Sequence, residues 1–275
     1  MKHDILDLAQ CFFYTAADFG KEDAMPEIIA IHSFRGGTGK TNTTANLACL
    51  LARKGRRVGV VDTDIQSPGI HVLFNLDPKD APHTLNDFLW GKCDIGRAVY
   101  DVSRILGAED KEKLFLIPSS IRTGDIARVL HYGYDINLLK EGYQKAIEQF
   151  ALDYLFIDTH PGLNEETLMS IAVADTLLIL LRPDQQDYQG TAVTVEVSRQ
   201  LEVPRMFLIV NKVPTAFPGD ALAAKVTAAY NCDVAGVLPH ADEMMALGSS
   251  GLFCLMHPNT ALGRAMEDIL RRITA

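Results

Sequence analysis

Cysteine is scarce and unpatterned in this 275-residue chain: five residues (Cys11, Cys49, Cys93, Cys232 and Cys254), an odd number, with no C-x-x-C spacing. A disulfide framework, a zinc ribbon and a cluster held by paired thiolates are thereby excluded, and each cysteine is expected to be a small buried apolar side chain. No run approaches the roughly 18 uninterrupted apolar residues of a transmembrane helix. The 12 prolines and 20 glycines fall in no repeat, which excludes collagen-like and low-complexity architecture. Basic residues are outnumbered, 26 against 35 acids for a net charge of −9, which argues against a protein dedicated to coating nucleic acid. Acids interrupt the apolar N-terminal stretch, unlike a secretory leader, and the chain reads as cytoplasmic.

What remains is an ordinary globular composition, 48% apolar and 22% charged, sufficient for one large domain with its own core. Residues 1–25 read apart from the rest as an N-terminal extension. Ile5, Leu8, Phe12 and Ala16 fall at helical spacing there. A peripheral helix, a partner-docking arm and a natural start at Met25 all fit that stretch.

From residue 26 onward one domain is expected. Apolar runs at 28–33, 57–62, 114–117, 154–158, 176–181, 206–210 and 235–238 alternate with helix-length segments at 39–54, 137–150, 165–174, 188–201 and 220–230. The runs are nearly continuous in apolarity, as strands buried on both faces are. Such alternation implies right-handed crossovers and a doubly wound, mostly parallel sheet flanked by helices, an α/β fold. The stretch 66–113 is less regular, as a switch loop with peripheral helices would be.

The most informative segment follows the first strand: Arg35-Gly36-Gly37-Thr38-Gly39-Lys40-Thr41, with a helix directly after it. Three glycines let the backbone curl so that its N–H groups point inward, and the helix N-terminus adds partial positive charge at the same place. Lys40 can reach β- and γ-phosphates, and the Thr41 hydroxyl is placed to ligate Mg²⁺. The common pattern G-x-x-x-x-G-K-[ST] would put a glycine at 34, where this chain has Phe34.

In a doubly wound sheet, ligands bind outside the carboxyl ends of the strands. Polar residues stand at those ends: Asp62 and Asp64 after the second run, Asp158 and His160 after the fourth, then Arg182 and Asp184, Asn211 and Lys212, and Pro239 with His240. Two acids after a buried strand suit metal or water chemistry better than a turn cap. Asp158 occupies the position of a Walker B acid, which holds Mg²⁺ through water. Asn211 is either a turn residue or a reader of the adenine edge. His160 reads as an incidental loop histidine rather than a general base. Arg53, Lys54, Arg56 and Arg57 read as a solvated loop.

Taken together, RGGTGKT, VVDTDIQSPG, FIDTHPGL and the late IVNK resemble the MinD/ParA family of deviant-Walker-A P-loop ATPases over roughly residues 26–275. The resemblance implies an ATP- and Mg²⁺-dependent homodimer that positions cargo or other complexes, working with an activating or cargo-adaptor protein. It implies backbone contacts to phosphate from Gly36, Gly37, Thr38 and Gly39, phosphate binding by Lys40, Mg²⁺ at Thr41, and an approach of Asn42 to the α-phosphate. Asp62 and Asp158 would organise the metal's water shell. Asp64 would orient the attacking water, and Asn211 with the backbone near Pro239 would contact adenine.

The family's signature lysine, which reaches across the dimer, is replaced here by Arg35, which keeps the charge and can clamp phosphate oxygens bidentately. His160 also stands where a small residue or proline is usual. The iron-protein siblings of this fold need cysteine ligands that the chain lacks at suitable positions. The apolar stripe of Leu262, Met266, Ile269, Leu270 and Ile273 is expected to pack as a last helix rather than to bind membrane. Arg264, Arg271 and Arg272 on its other side imply at most weak, salt-dependent DNA binding. A dimerising nucleotide-binding scaffold with little ATPase activity is the alternative, and a small-molecule ligase or kinase on the same fold is a third reading.

Overall fold

The computed structural model describes residues 25–107 and 112–275; the helix expected within 1–25 lies outside them apart from Met25. A strand, β1 (Glu27–His32), leads through the glycine loop into α1 (Lys40–Ala52) and back to β2 (Arg57–Asp62). Two short helices, α2 (Ile70–Leu73) and α3 (Leu85–Leu89), precede the two-residue β3 (Tyr100–Asp101) and β4 (Lys113–Ile117). Helices α4 (Thr123–Tyr132) and α5 (Asn137–Phe150) then lead to β5 (Tyr154–Asp158), α6 (Glu165–Ala172), β6 (Thr176–Leu181) and α7 (Gln185–Gln200). The chain continues through β7 (Arg205–Val213), α8 (Gly219–Tyr230), β8 (Val234–Pro239), α9 (Asp242–Leu247), α10 (Phe253–Met256) and α11 (Ala261–Ile273).

The eight strands form one sheet in the order β3-β4-β2-β5-β1-β6-β7-β8, parallel throughout except for antiparallel β3 at the edge. This is the doubly wound α/β sheet expected from the alternation. The chain winds to one side of β1 through β2, β4 and β5, and to the other through β6, β7 and β8. The switch in winding therefore falls at the end of β1, where a crevice opens.

Each buried strand feeds two cores, because successive side chains leave opposite faces. Ile29 and Ile31 join Leu47, Val58, Val60, Phe156 and Leu178 beneath α1 and α11. Ile28 and Ala30 join Val61, Tyr143, Ile157 and Leu177 on the other face, beneath α5. Helix α1 is buried nearly all round, with only Thr41 and Asn42 partly open, so it carries no amphipathic signature. The stripe Leu262, Met266, Ile269, Leu270 and Ile273 is fully packed, while Arg264, Arg271 and Arg272 face outward. Cys49, Cys232 and Cys254 are buried free thiols, as expected, whereas Cys93 is only half-buried and Cys11 lies outside the described residues.

Strand β7 runs three residues beyond the expected 210, through irregular pairing with β8 and a left-handed Lys212 at φ +57°. That extension carries Asn211 and Lys212 over the glycine loop. Strand β3 is too short to leave a periodic signal.

Helix α11 starts against the chain that leads into it. Thr260 caps it by accepting the Gly263 N–H at 3.1 Å and donates its own hydroxyl to the His257 carbonyl at 2.8 Å. A Cβ on Gly263 would sit 2.6 Å from the carbonyl oxygens of both His257 and Pro258. These are backbone atoms with little room to yield. Gly263→Ala is expected to destabilise the protein by about 1–3 kcal/mol, the usual range for overpacking, read as a lower midpoint in thermal or urea unfolding.

Candidate functional site

The glycine loop is held in shape by the chain's own polar groups. Gly37 and Gly39 take φ values of +76° and +101°, which only glycine adopts freely. A Cβ at Gly39 would also stand 2.5 Å from the Asn211 amide nitrogen. The Thr38 hydroxyl donates to Ser33 Oγ at 2.8 Å, and Ser33 Oγ donates to the Arg35 carbonyl at 2.7 Å. From the end of β7, Asn211 Nδ2 donates to the Thr38 carbonyl at 2.7 Å and Lys212 Nζ to the Gly37 carbonyl at 2.8 Å. The loop's carbonyls are thus drawn outward. No side chain caps α1, and its first turn holds no acid. A buried 13-residue helix that opens with no capping partner is a ready site for an anion.

Acids surround the start of this helix. Asp62 and Asp158 are register partners at the ends of β2 and β5, both fully buried. Asp62 Oδ1 accepts the Asp64 N–H at 3.0 Å and Oδ2 accepts the Gly69 N–H at 3.2 Å, so this carboxylate shapes the loop that carries Asp64. Burial, then Asp158 and Asp64, hold the Asp62 carboxyl well above the usual range. Asp158 Oδ1 accepts the Thr44 hydroxyl at 3.2 Å. Burial pushes the Asp158 carboxyl up to about 6, although hydrogen bonding from Thr41 and the charge of Lys40 oppose the rise.

Lys40 itself is only 6% exposed. Burial pushes its ammonium down, while Asp158 and Asp64 hold it up. Asp158 and Asp64 thus face one ammonium, with Asp62 beside both acids, and a divalent cation would relieve the repulsion among the three carboxyls. Among the described residues no group of three or more His, Cys, Asp or Glu side chains could hold a metal ion by itself. Mg²⁺ takes most of its ligands from water and phosphate, so its fit here rests on the Thr41 hydroxyl and the buried carboxyls. The Thr41 hydroxyl beside Asp158 fits such an ion.

Sequence reasoning missed several contacts. His160 is no incidental loop residue: its Nδ1 lies 2.7 Å from Asp64 Oδ1. His32, at the end of β1, is fully buried with Nδ1 2.9 Å from the Thr159 hydroxyl, which itself donates to the Ile31 carbonyl. Nδ1 therefore carries the proton, and burial pushes this histidine down to about 3, so it is neutral. Phe34 packs on Gly190 of α7, where any larger side chain would collide with its ring.

Arg35 bonds Gln186 Oε1 and lies 3.8 Å from Asp187 in the same chain. Asp187 in turn is gripped by Arg182 Nε and Nη2 at 3.0 and 3.1 Å. Asn211, expected at adenine, has its amide nitrogen on Thr38 and its oxygen on the Lys212 N–H at 2.8 Å, so it braces the loop. It still borders a cavity of about 180 Å³ of mixed polar and apolar lining, with Gly39, Asn42, Pro239, Met244 and Met266.

The AAA_31 family model, an AAA domain, matches residues 26–203. An uncharacterized ATP-binding protein of Methanocaldococcus jannaschii is 30% identical over 89% of this chain and 86% of its own length. The septum site-determining protein MinD of Bacillus subtilis is 28% identical over 90% of this chain and 89% of its own. Among solved structures, MinD of Pyrococcus horikoshii complexed with Mg-ADP superposes with a TM-score of 0.75 at 21% identity, covering 90% of this chain and 96% of that one.

The raised carboxyls carry a pH signature. Asp158 holds its proton more tightly folded than unfolded, so between its ordinary value of 3.8 and about 6 the native state binds more protons and stability falls as pH rises. Asp158→Asn removes that share. In denaturant titrations of the nucleotide-free protein, the variant's stability relative to wild type is expected to rise as pH increases through about 6. A difference independent of pH would contradict the buried-carboxyl account.

Proposed function

The chain belongs to the AAA_31 family and, with it, to the MinD/ParA P-loop ATPases; on that premise we propose that it is a Mg²⁺-dependent ATPase whose ATP-bound homodimer acts as a spatial switch for a cargo or complex. The observation that carries this reading is the clustering of Lys40 with Asp64 and Asp158, and of Asp62 with both acids, at the switch point of the sheet. The site-determining name of its Bacillus subtilis relative supports the positioning role.

In this reading the amides of Gly36, Gly37, Thr38 and Gly39 cradle phosphate, and Lys40 balances β- and γ-phosphate charge. Thr41 would ligate Mg²⁺, with Asp62 and Asp158 ordering its water, and Asn42 would approach the α-phosphate. When bound, Mg²⁺ neutralises charge developing on the β- and γ-oxygens. Asp64 orients the water that attacks the γ-phosphorus in line as the bond to the bridging oxygen breaks. The cavity beside Asn211 and Pro239 takes the base. Arg35 leaves Gln186 and Asp187 to reach the partner's nucleotide.

The cis engagement of Arg35 also favours the second reading, a scaffold that binds nucleotide and scarcely hydrolyses it. A cytoplasmic protein working with an activating or adaptor partner fits either reading. Among the described residues no helix is long and apolar enough to cross a membrane. Arg271 is paired with Asp268, so outward-facing Arg264 and Arg272 would carry any weak DNA contact.

Light scattering on size-exclusion peaks, without nucleotide, with ADP–Mg²⁺ and with ATP–Mg²⁺, tests the switch. Wild type is expected to dimerise with ATP alone and Arg35→Ala to stay monomeric. Asp64→Ala is expected to keep the ATP-dependent dimer while phosphate release falls about 10²-fold or more. An oligomeric state indifferent to nucleotide sinks the switch. A wild type that dimerises without turnover leaves the scaffold.

A further inference from the structure

His160 lies two residues beyond β5, in the loop that enters α6. The loop is pinned from α6: the Thr167 hydroxyl donates to the His160 carbonyl at 3.1 Å, and Asn164 caps the helix by accepting the Thr167 N–H at 2.8 Å. The ring's Nδ1 stands 2.7 Å from Asp64 Oδ1, with the two side chains 22% and 15% exposed. At that distance the two side chains share a hydrogen bond, whose donor is Nδ1 in the tautomer that protonates it. Oδ1 also accepts the Ser67 N–H at 3.1 Å. Among the described residues both donors use Oδ1 and none bonds Oδ2. Glu166 stands in the first turn of α6: burial raises its carboxyl, and His160 is the strongest influence drawing it back.

We propose that His160 is a positioning residue, whose Nδ1–H bond turns Asp64 so that Oδ2 presents itself to the water attacking the γ-phosphate. The inference rests on the ATPase reading and deepens it. A loop aspartate without fixed partners samples several rotamers; two donors on one oxygen leave the other aimed in one direction. Orientation of this kind acts on the chemical step and leaves nucleotide affinity alone.

Two substitutions separate positioning from bulk. His160→Ala deletes the donor, whereas His160→Asn offers an amide N–H where Nδ1–H stands. Phosphate release by His160→Ala is expected to fall about 10- to 100-fold in kcat, with unchanged affinity for a fluorescent ATP analogue, and His160→Asn to recover most of the rate. In the nucleotide-free protein, ¹⁵N NMR of the ring is expected to show the Nδ1–H tautomer in wild type and the commoner Nε2–H tautomer in Asp64→Ala.

Wild-type turnover in His160→Ala, equal impairment of both variants, or an Nε2–H tautomer in wild type overturns the proposal. A wild type that binds ATP and releases no phosphate instead overturns the ATPase reading and the positioning role together.

Discussion

One ammonium set against three carboxylates at the end of a buried sheet is the constraint on which the rest of this structure turns. Lys40, Asp62, Asp64 and Asp158 come together only because β1, β2 and β5 are neighbours in a parallel sheet and end on the same rim. Packed side chains on both faces keep water from the strands, so the charges cannot be screened cheaply. Folding therefore assembles a site whose buried carboxyls hold their protons more tightly than usual, beside a glycine loop that opens an uncapped helix.

The scaffold around that imbalance is itself polar and specific. Asp62 spends both oxygens on backbone amides of its own loop, and Asn211 and Lys212 reach back to the glycine loop from β7. Arg35 and Phe34 tie the front of the same loop to α7. The glycine loop is thus held by two elements, α7 and β7, both on the β6 side of β1.

Much of this was legible in the amino-acid order. The loop could be read because its glycines, lysine and threonine are contiguous, and the strands because their burial makes them nearly continuous in apolarity. The acids could be placed because each ends such a run. What stayed hidden were pairings between distant positions: His160 with Asp64, 96 residues apart, and Asn211 with Thr38, 173 apart. Local periodicity carries no information on them. Sequence reading treated His160 as incidental because a histidine after a strand has no partner until the sheet order is known. The two-residue β3 was too short for any pattern, and the extension of β7 depended on a left-handed Lys212 that composition does not foretell.

The contact between Phe34 and Gly190 reaches beyond this one molecule. A benzyl group where the commoner loop has hydrogen is tolerable only if the facing helix has hydrogen too, so the two sites trade a side chain between them. A larger side chain at 190 is admissible only alongside a smaller one at 34. A bulky residue before Arg-Gly-Gly together with a glycine one turn into the helix after β6 would then be a paired signature, by which chains sharing this architecture could be sorted from their cousins without reference to the catalytic letters at all.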